Sequence, residues 1–202
     1  MAISFSPFAT YTATGTFGVQ SQGYIQGTAI PNPAYRTKLA SGVVSSTSSV
    51  PLYGGYAVTE SLPATTNTAN SLLGNVIAPA ATTGANIQAF VVFNQAHNGV
   101  ISTGNDVPLY DKNTTVNYYR VGSGAEIILK IDPTFAATLL SGTVSPELYW
   151  DFTNQQLVGS GTGALKFTLA SSGIQIGNSK TITYSSGAAS WSSTGSVARV
   201  II

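Results

Sequence analysis

Short β-prone segments separated by turn residues make up most of the chain, and this spacing constrains the fold more than any other feature. From Thr114 onward the segments include "TVNYYRV", "AEIILKID", "ALKFTLA", "SGIQIG", "KTITYSS", "AASWSS" and "SVARVII". Turn residues that recur about every 8–12 residues are typical of a β-sandwich or a β-barrel. The sequence therefore predicts an all-β fold of short antiparallel strands, with Ile201 and Ile202 tied into the last of them.

Three segments give more specific strand predictions. In "AEIILKID", Ile127, Leu129 and Ile131 share one face and the charged residues share the other. The segment 89–93, "AFVVF", is apolar without alternation, which favours a strand buried on both faces. In "ELYWDFTNQQLV" the alternation predicts one strand, on which Leu148, Trp150 and Phe152 face the same way.

One short helix is expected near 133–141, in "DPTFAATLLSG". Asp132 is a good N-cap, Pro133 suits the first helical position and Gly142 suits the end. The earlier stretch "IPNPAY" contains two prolines and an asparagine, and we expect a turn there.

The tetrapeptide Val-Pro-Leu-Tyr occurs twice, in "VPLYGG" (Val50–Gly55) and in "VPLYDK" (Val107–Lys112). Proline cannot donate to a β-ladder, so each copy is expected at a strand start or on a sheet edge. The two copies are either equivalent strand starts or a coincidence, since no longer repeat accompanies them. In the first copy, the two glycines predict a turn, after which Tyr56 begins a new strand.

The first 20 residues carry the aromatic residues Phe5, Phe8 and Tyr11 among small polar ones. They fit either a first core strand or an extended N-terminal arm whose aromatic side chains dock on a neighbouring subunit. We divide the chain into this arm (1–20), a barrel-like part (21–112) and a sandwich-like part (113–202). Alternatively, the last two parts form one continuous domain.

Charge is scarce: Asp, Glu, Lys and Arg make up 7% of the chain and the net charge is +1, against an average charged fraction of about 25%. The basic residues are scattered, which disfavours nucleic-acid binding. No apolar run approaches the length of about 20 residues that a membrane helix needs. The N-terminus lacks the pattern of a signal peptide, so we expect synthesis in a cytoplasm and no membrane partner.

The sequence offers little for catalysis. His97 is the only histidine, no G-x-S-x-G motif is present and cysteine is absent. Glu147 and Asp151 would lie roughly 13 Å apart on one strand, too far for a glycosidase pair. Asp106 and Asp111 flank the second VPLY without calcium-loop spacing. We therefore expect no enzyme activity, no cofactor and no metal.

The stretch "AYRTKLASGVVSSTSSVPLYGGYAVTES" (34–61) resembles structural proteins of tailed bacteriophages, of the capsid decoration or cement type. The resemblance continues through "FVVFNQAHNGV", "VPLYDK", "VNYYRVGSGAEI", "WDFTNQQLV" and "IQIGNSKTI". It covers most of the chain from about Gly23 onward.

This resemblance implies a β-barrel or β-sandwich with an extended N-terminal segment, located on the capsid surface of a virion. Its expected partners are the major capsid protein, which it would cement to neighbouring capsomers, and further copies of itself in a homotrimer. The residues expected at the protein interface lie in the arm and near the first VPLY: Phe5, Phe8, Tyr11, Arg36, Tyr53 and Tyr56.

Two other functions fit the same composition. One is another virion part, such as a tail or fibre protein. The other is a carbohydrate-binding β-sandwich module, in which Trp150, Trp191 and the tyrosines would stack on sugars. Burial in the core is the competing role for both tryptophans, because aromatic side chains dominate protein cores.

Overall fold

The computed structural model describes residues 24–30, 32–62, 74–93, 107–142 and 147–202. It confirms the all-β prediction. The strands are β1 (Ala40–Val44), β2 (Ala57–Ser61), β3 (Asn75–Pro79), β4 (Ala89–Val91), β5 (Thr115–Arg120), β6 (Glu126–Lys130), β7 (Tyr149–Asp151), β8 (Gln156–Val158), β9 (Thr168–Ser185) and β10 (Ala188–Ile201). The helices are α1 (Pro33–Arg36), α2 (Pro133–Leu140) and a 3-10 turn at Gly84–Asn86.

Five strands form a closed barrel in the order β1-β3-β2-β4-β5. β5 pairs antiparallel with β1 and closes the barrel, while β1 and β3 run parallel, with Val43 opposite Val76. The remaining pairs in the barrel are antiparallel. Closure pairs both edges of every barrel strand, which removes the open edges that an isolated sheet would expose.

A three-stranded sheet, β6-β10-β9, and the β7–β8 hairpin lie beside the barrel. The segment Tyr24–Ile30 connects these parts. Its Ile25 bridges to Lys180 on β9, and its Ala29 bridges to Ile127 on β6. Thr28 between them bridges to Phe93, just after β4. This short segment therefore touches both edges of the sheet and the end of a barrel strand.

Two clusters of buried side chains share the barrel wall. Val58, Val91 and Tyr118 belong to the cluster inside the barrel, whereas their neighbours Ala57, Phe90 and Tyr119 belong to the cluster that packs against β6, β10 and α2. Side chains of a strand alternate between its two faces, so one strand serves both clusters. All of β4 is buried, which confirms the prediction for that segment.

β5 lies beyond the boundary expected at 112/113 and yet belongs to the barrel. The cluster that packs against β6, β10 and α2, which we call the outer cluster, also joins barrel residues to the second sheet. This shared core supports the alternative of one continuous domain, and the division of the chain stays a prediction. The expected arm, residues 1–20, lies outside the described residues.

The helix predicted near 133–141 is confirmed as α2. The Asp132 side chain accepts the Phe135 backbone N–H at 2.9 Å, and Pro133 occupies the first turn. A second helix was not predicted: α1 begins inside the stretch expected to be a turn. There the Asn32 side chain accepts the Ala34 N–H at 3.0 Å, so a cap starts one helical turn.

The prediction of one strand over "ELYWDFTNQQLV" is wrong, because the chain turns back on itself to form β7 and β8. Asp151 Oδ1 accepts the backbone N–H groups of Thr153 and Asn154, at 2.8 and 3.2 Å. This side-chain turn competes with strand continuation, as aspartate often does. Trp150 then pairs with Leu157 across the hairpin.

The series of short strands predicted after residue 163 is also wrong. β9 and β10 are two long strands joined at Ser186-Gly187, where both residues have positive φ. Apparent turn residues lie inside the strands, where the register shifts around Gly195. A Cβ at Gly195 would lie 2.1 Å from Thr181 Oγ1, so this glycine permits a close approach and does not end a strand.

Candidate interaction surface

Among the described residues, no group of three or more His, Cys, Asp or Glu could hold a metal ion. His97 and Asp106 lie outside those residues, so the interpretations of their roles stay predictions. No helix in the described part of the chain is long and apolar enough to cross a membrane.

Glu60 on β2 is the most strongly bound carboxylate in the barrel. Arg120 donates to it through Nε at 2.6 Å and Nη2 at 2.5 Å, and the Tyr118 hydroxyl donates at 2.6 Å. Asn75 donates a further hydrogen bond. The hydrogen bonds from Arg120 lower the pKa of Glu60 to about 2, against the opposing effect of burial. Saturated in this way, the carboxylate is suited to stabilising the barrel rather than to proton transfer.

A second ion pair joins Glu126 on β6 to Arg199 on β10. Both residues sit at the paired ends of their strands, where Glu126 lies opposite Ile201. Together the two ion pairs neutralise a sizeable share of the chain's small number of charges within the protein itself. The resulting surface carries little free charge with which to attract charged partners.

Tyr53 and Tyr56 lie together inside the barrel and are only 4% and 8% exposed. Their ring centroids are 5.0 Å apart in an edge-to-face arrangement, and Tyr184 of β9 is 6.4 Å from Tyr53. Burial, followed by the neighbouring tyrosines, raises the pKa of Tyr53 well above its ordinary value. Contact with a partner through these rings is limited to the small area that they expose, and their interface role stays a prediction.

Arg36, at the end of α1, is exposed and lines a groove of about 360 Å³. The groove walls are largely apolar and include Ile30, Leu39, Phe93 and Tyr119. Burial raises the pKa of Tyr119, and the positive charge of Arg36 opposes that rise. The groove therefore combines an apolar floor with one cation at its rim, a composition suited to contact with a protein surface.

Phe5, Phe8 and Tyr11 lie outside the described residues, but the structure shows how the segment that follows them is anchored. Gln26 is fully buried. Its Nε2 donates to Gly54 O at 3.2 Å, and its Oε1 accepts the Ile182 N–H at 2.8 Å. A Cβ at Gly27 would lie 2.3 Å from Gly54, so these two glycines let the backbones meet. Sequence patterns gave no signal for Gln26.

The two tryptophans do not share a surface. Trp150 is 4% exposed, meets Phe90 edge-to-face at 5.1 Å and donates from Nε1 to Gln155 Oε1 at 3.3 Å. Trp191 is half-buried against the cluster inside the barrel. Because they pack against different clusters, they form no common platform for stacking on a sugar.

The β9–β10 ribbon presents an uncharged surface, and both of its strands are described over their whole length. No charged residue occurs between Lys180 and Arg199. Thr183 and Ser190 pair across the ribbon and are exposed, whereas the next pair, Tyr184 and Ala189, packs towards the barrel interior. One face of the ribbon is thus fixed to the barrel and the other is neutral and rich in hydroxyl groups.

Comparisons with protein-family models, with curated proteins and with solved structures find no match to this chain.

Proposed function

We propose that this chain is a structural virion protein that binds the outer surface of a phage capsid and cements neighbouring capsomers. The proposal starts from the sequence resemblance to decoration proteins. The structural observation that supports it best is the neutral, hydroxyl-rich face of the β9–β10 ribbon, whose opposite face packs against the barrel.

A neutral surface suits repeated protein contacts for a physical reason. Burying an unpaired charge in an interface costs the hydration energy of that charge, and the centres of interfaces are accordingly depleted of charged residues. The ribbon face buries only hydroxyl and small apolar groups in such a contact. Because the other face of the ribbon is already packed against the barrel, less of the ribbon remains to be ordered on binding.

The N-terminal arm and the groove at Arg36 are two further proposed contacts, in addition to the ribbon face. Tyr24–Ile30, which follows the arm, is held at Ile25, Thr28 and Ala29 by backbone bridges. Tyr24–Ile30 is therefore fixed beside the groove, which Ile25 helps to line. We assign Phe5, Phe8 and Tyr11 to contacts with the capsid or with another copy in a homotrimer.

Sedimentation of the purified chain with capsids that lack it tests this proposal. The intact chain is expected to sediment with the capsids, and a chain that begins at residue 21 is expected to lose this binding while keeping its fold. Failure of the intact, folded chain to bind would overturn the proposed function. Full binding by the folded truncation would remove the arm from it.

Charge substitutions on the ribbon test the neutral face separately. Thr183→Lys and Ser190→Lys each place a cation on the exposed face, and both should weaken capsid binding. Ala137→Lys adds the same charge on the exposed side of α2 and is the matched control. Unchanged binding in both ribbon variants would show that this face is not the contact.

A further inference from the structure

A third surface feature, separate from the ribbon and from the groove at Arg36, is an open cleft of about 430 Å³. It lies between the loop after β3 and the β7–β8 hairpin with the loop that follows it. Six of its lining residues carry the polar or aromatic groups of interest: Thr82, Asp151, Phe152, Thr153, Ser160 and Thr162. Its volume falls in the range of about 300–1,000 Å³ that is usual for small-molecule sites.

The cleft walls are held in place by contacts between the two loops. The Gly84 N–H donates to Thr162 O at 2.9 Å, and the Thr83 hydroxyl donates to the same oxygen at 3.2 Å. A Cβ at Gly163 would lie 2.1 Å from Thr83 Oγ1, so the loops interlock closely. Thr82, next to this contact, has a φ of 75°, which is unusual for a β-branched residue. The surroundings therefore hold this wall in a fixed shape.

Asp151 is oriented before any ligand arrives. Its Oδ1 accepts the N–H groups of Thr153 and Asn154, and its Oδ2 accepts Asn154 Nδ2 at 2.7 Å. A carboxylate offers about four acceptor positions, so one remains for a ligand hydroxyl. Burial raises the pKa of Asp151, but the hydrogen bonds from Asn154 and Thr153 and the charge of Lys130 outweigh it, so the pKa is lowered and the carboxylate stays ionised at neutral pH.

The remaining groups define the chemistry of a ligand. Phe152 is half-buried and offers part of a ring, whose negative face attracts the polarised C–H groups of a sugar. The hydroxyl groups of Ser160 and Thr162 can both donate and accept, whereas the Thr82 hydroxyl donates to Ala81 O at 2.6 Å and is left to accept.

The lining residues include no lysine or arginine. Lys130 lies near Asp151, but its Nζ donates to Asn154 O at 3.4 Å and it is not a lining residue. The described lining itself therefore presents only the negative charge of Asp151 to a ligand, which disfavours anionic ligands.

We propose that this cleft binds a neutral saccharide, one or two sugar units of a larger glycan that extends from the open side. Asp151 accepts hydrogen bonds from sugar hydroxyls, Phe152 stacks on a sugar face and the threonine and serine hydroxyls complete the contact. This site differs from the tryptophan platform expected from the sequence. Trp150 lines the cleft but is only 4% exposed, so the half-buried Phe152 offers the more accessible ring, and Trp191 is not among the lining residues. The proposal does not depend on capsid binding.

The test uses the full chain, without capsids, on an array of neutral glycans. Saturation-transfer NMR with glucose, galactose, N-acetylglucosamine and N-acetylgalactosamine follows the array. At least one neutral glycan is expected to bind. Asp151→Asn keeps one acceptor oxygen for the turn but removes the charge, and it should weaken binding by about 10- to 100-fold, the usual effect of losing a charged hydrogen bond. Asp111→Asn removes an exposed aspartate that does not line the cleft, and it should leave binding unchanged.

Phe152→Leu keeps an apolar side chain packed against the outer cluster but removes the aromatic ring, so it should also weaken glycan binding. A sulfated form of the bound glycan should bind more weakly than the neutral form, because Asp151 repels it. The proposal is overturned if no neutral glycan binds, if the sulfated form binds more tightly, or if both folded variants bind as tightly as the intact chain.

Discussion

Leu52 and Tyr110 exchange two backbone hydrogen bonds, so the two VPLY stretches pair with each other. The Leu52 N–H donates to Tyr110 O at 3.0 Å, and the Tyr110 N–H donates to Leu52 O at 2.8 Å. Leu is the third residue of its copy and Tyr is the fourth of the other. The copies are therefore offset partners across an isolated bridge and not equivalent strand starts. Both side chains lie in the cluster inside the barrel.

Replacing Leu52 should destabilise the protein strongly. Leu52→Ala removes a fully buried side chain and leaves a cavity, so the free energy of unfolding should fall by about 2–5 kcal/mol. Leu109→Ala, in the second copy, changes a side chain that is 37% exposed and should cost far less. Denaturant unfolding of both variants measures the difference. Equal losses would contradict the placement of Leu52 inside the barrel.

The ion pair between Glu60 and Arg120 should make stability depend on pH in the acid range. The pKa of Glu60 is about 2 in the folded protein and about 4.3 in an unfolded chain. Since the folded value is the lower one, the stabilisation is complete above the unfolded pKa and is lost as the pH falls towards 2.

Glu60→Gln should flatten this part of the stability curve. Because Arg120 is half exposed, solvent screening limits the effect, and we expect about 1 kcal/mol at neutral pH. Denaturant unfolding at a series of pH values checks it, with Asp111→Asn as a variant that should keep the acid dependence of the intact chain. If the free energy of unfolding of Glu60→Gln falls with decreasing pH as steeply as that of the intact chain, another group causes the dependence.

Gln26 should be essential for stability because both ends of its amide are used. Gln26→Leu leaves Gly54 O and the Ile182 N–H without their buried partner, at about 1–3 kcal/mol for each unsatisfied group. Gln156→Leu, on β8, changes a half-buried glutamine and should have a small effect. Thermal and denaturant unfolding compare the two. A Gln26→Leu variant that is as stable as the intact chain would mean that the segment Tyr24–Ile30 is not held as described.

Gly195 should tolerate no side chain while Thr181 remains opposite. An alanine Cβ would lie 2.1 Å from Thr181 Oγ1 and 2.2 Å from Cγ2. Gly195→Ala should therefore destabilise the protein, by about 1–3 kcal/mol as overpacking usually does. Thr181→Ala removes both of those atoms, so the double variant should recover part of the loss. Strictly additive losses in the double-mutant cycle would contradict this close approach.

The sequence was most informative where local signals and burial agree. Ile127 and Leu129 of β6 and Ile131 just after it are buried as the alternation predicted, although Ile128 is buried as well. α2 lies where Asp132 and Pro133 indicated. Both elements combine a regular hydrophobic pattern with a local signal at their ends. Tertiary contacts were not needed to place them.

The failures arise where a tertiary contact or a local side-chain hydrogen bond gives a residue a role that the surrounding pattern does not indicate. Gly195 signals a turn in the sequence but permits close approach within a long strand. Asp151 bends a segment whose alternation favoured a single strand. The candidate interface residues show the same limit: tyrosine is common both at interfaces and in cores, and only the fold shows that Tyr53 and Tyr56 are buried.

Quantitative mass spectrometry of particles purified from the source tests the central proposal most directly. A protein that cements the whole lattice should be present at between about one third and about one copy per major capsid subunit, as symmetric binding of trimers or monomers requires. The account predicts this ratio. A handful of copies per particle would place the chain in the tail or a fibre, and its absence from purified particles would contradict the account.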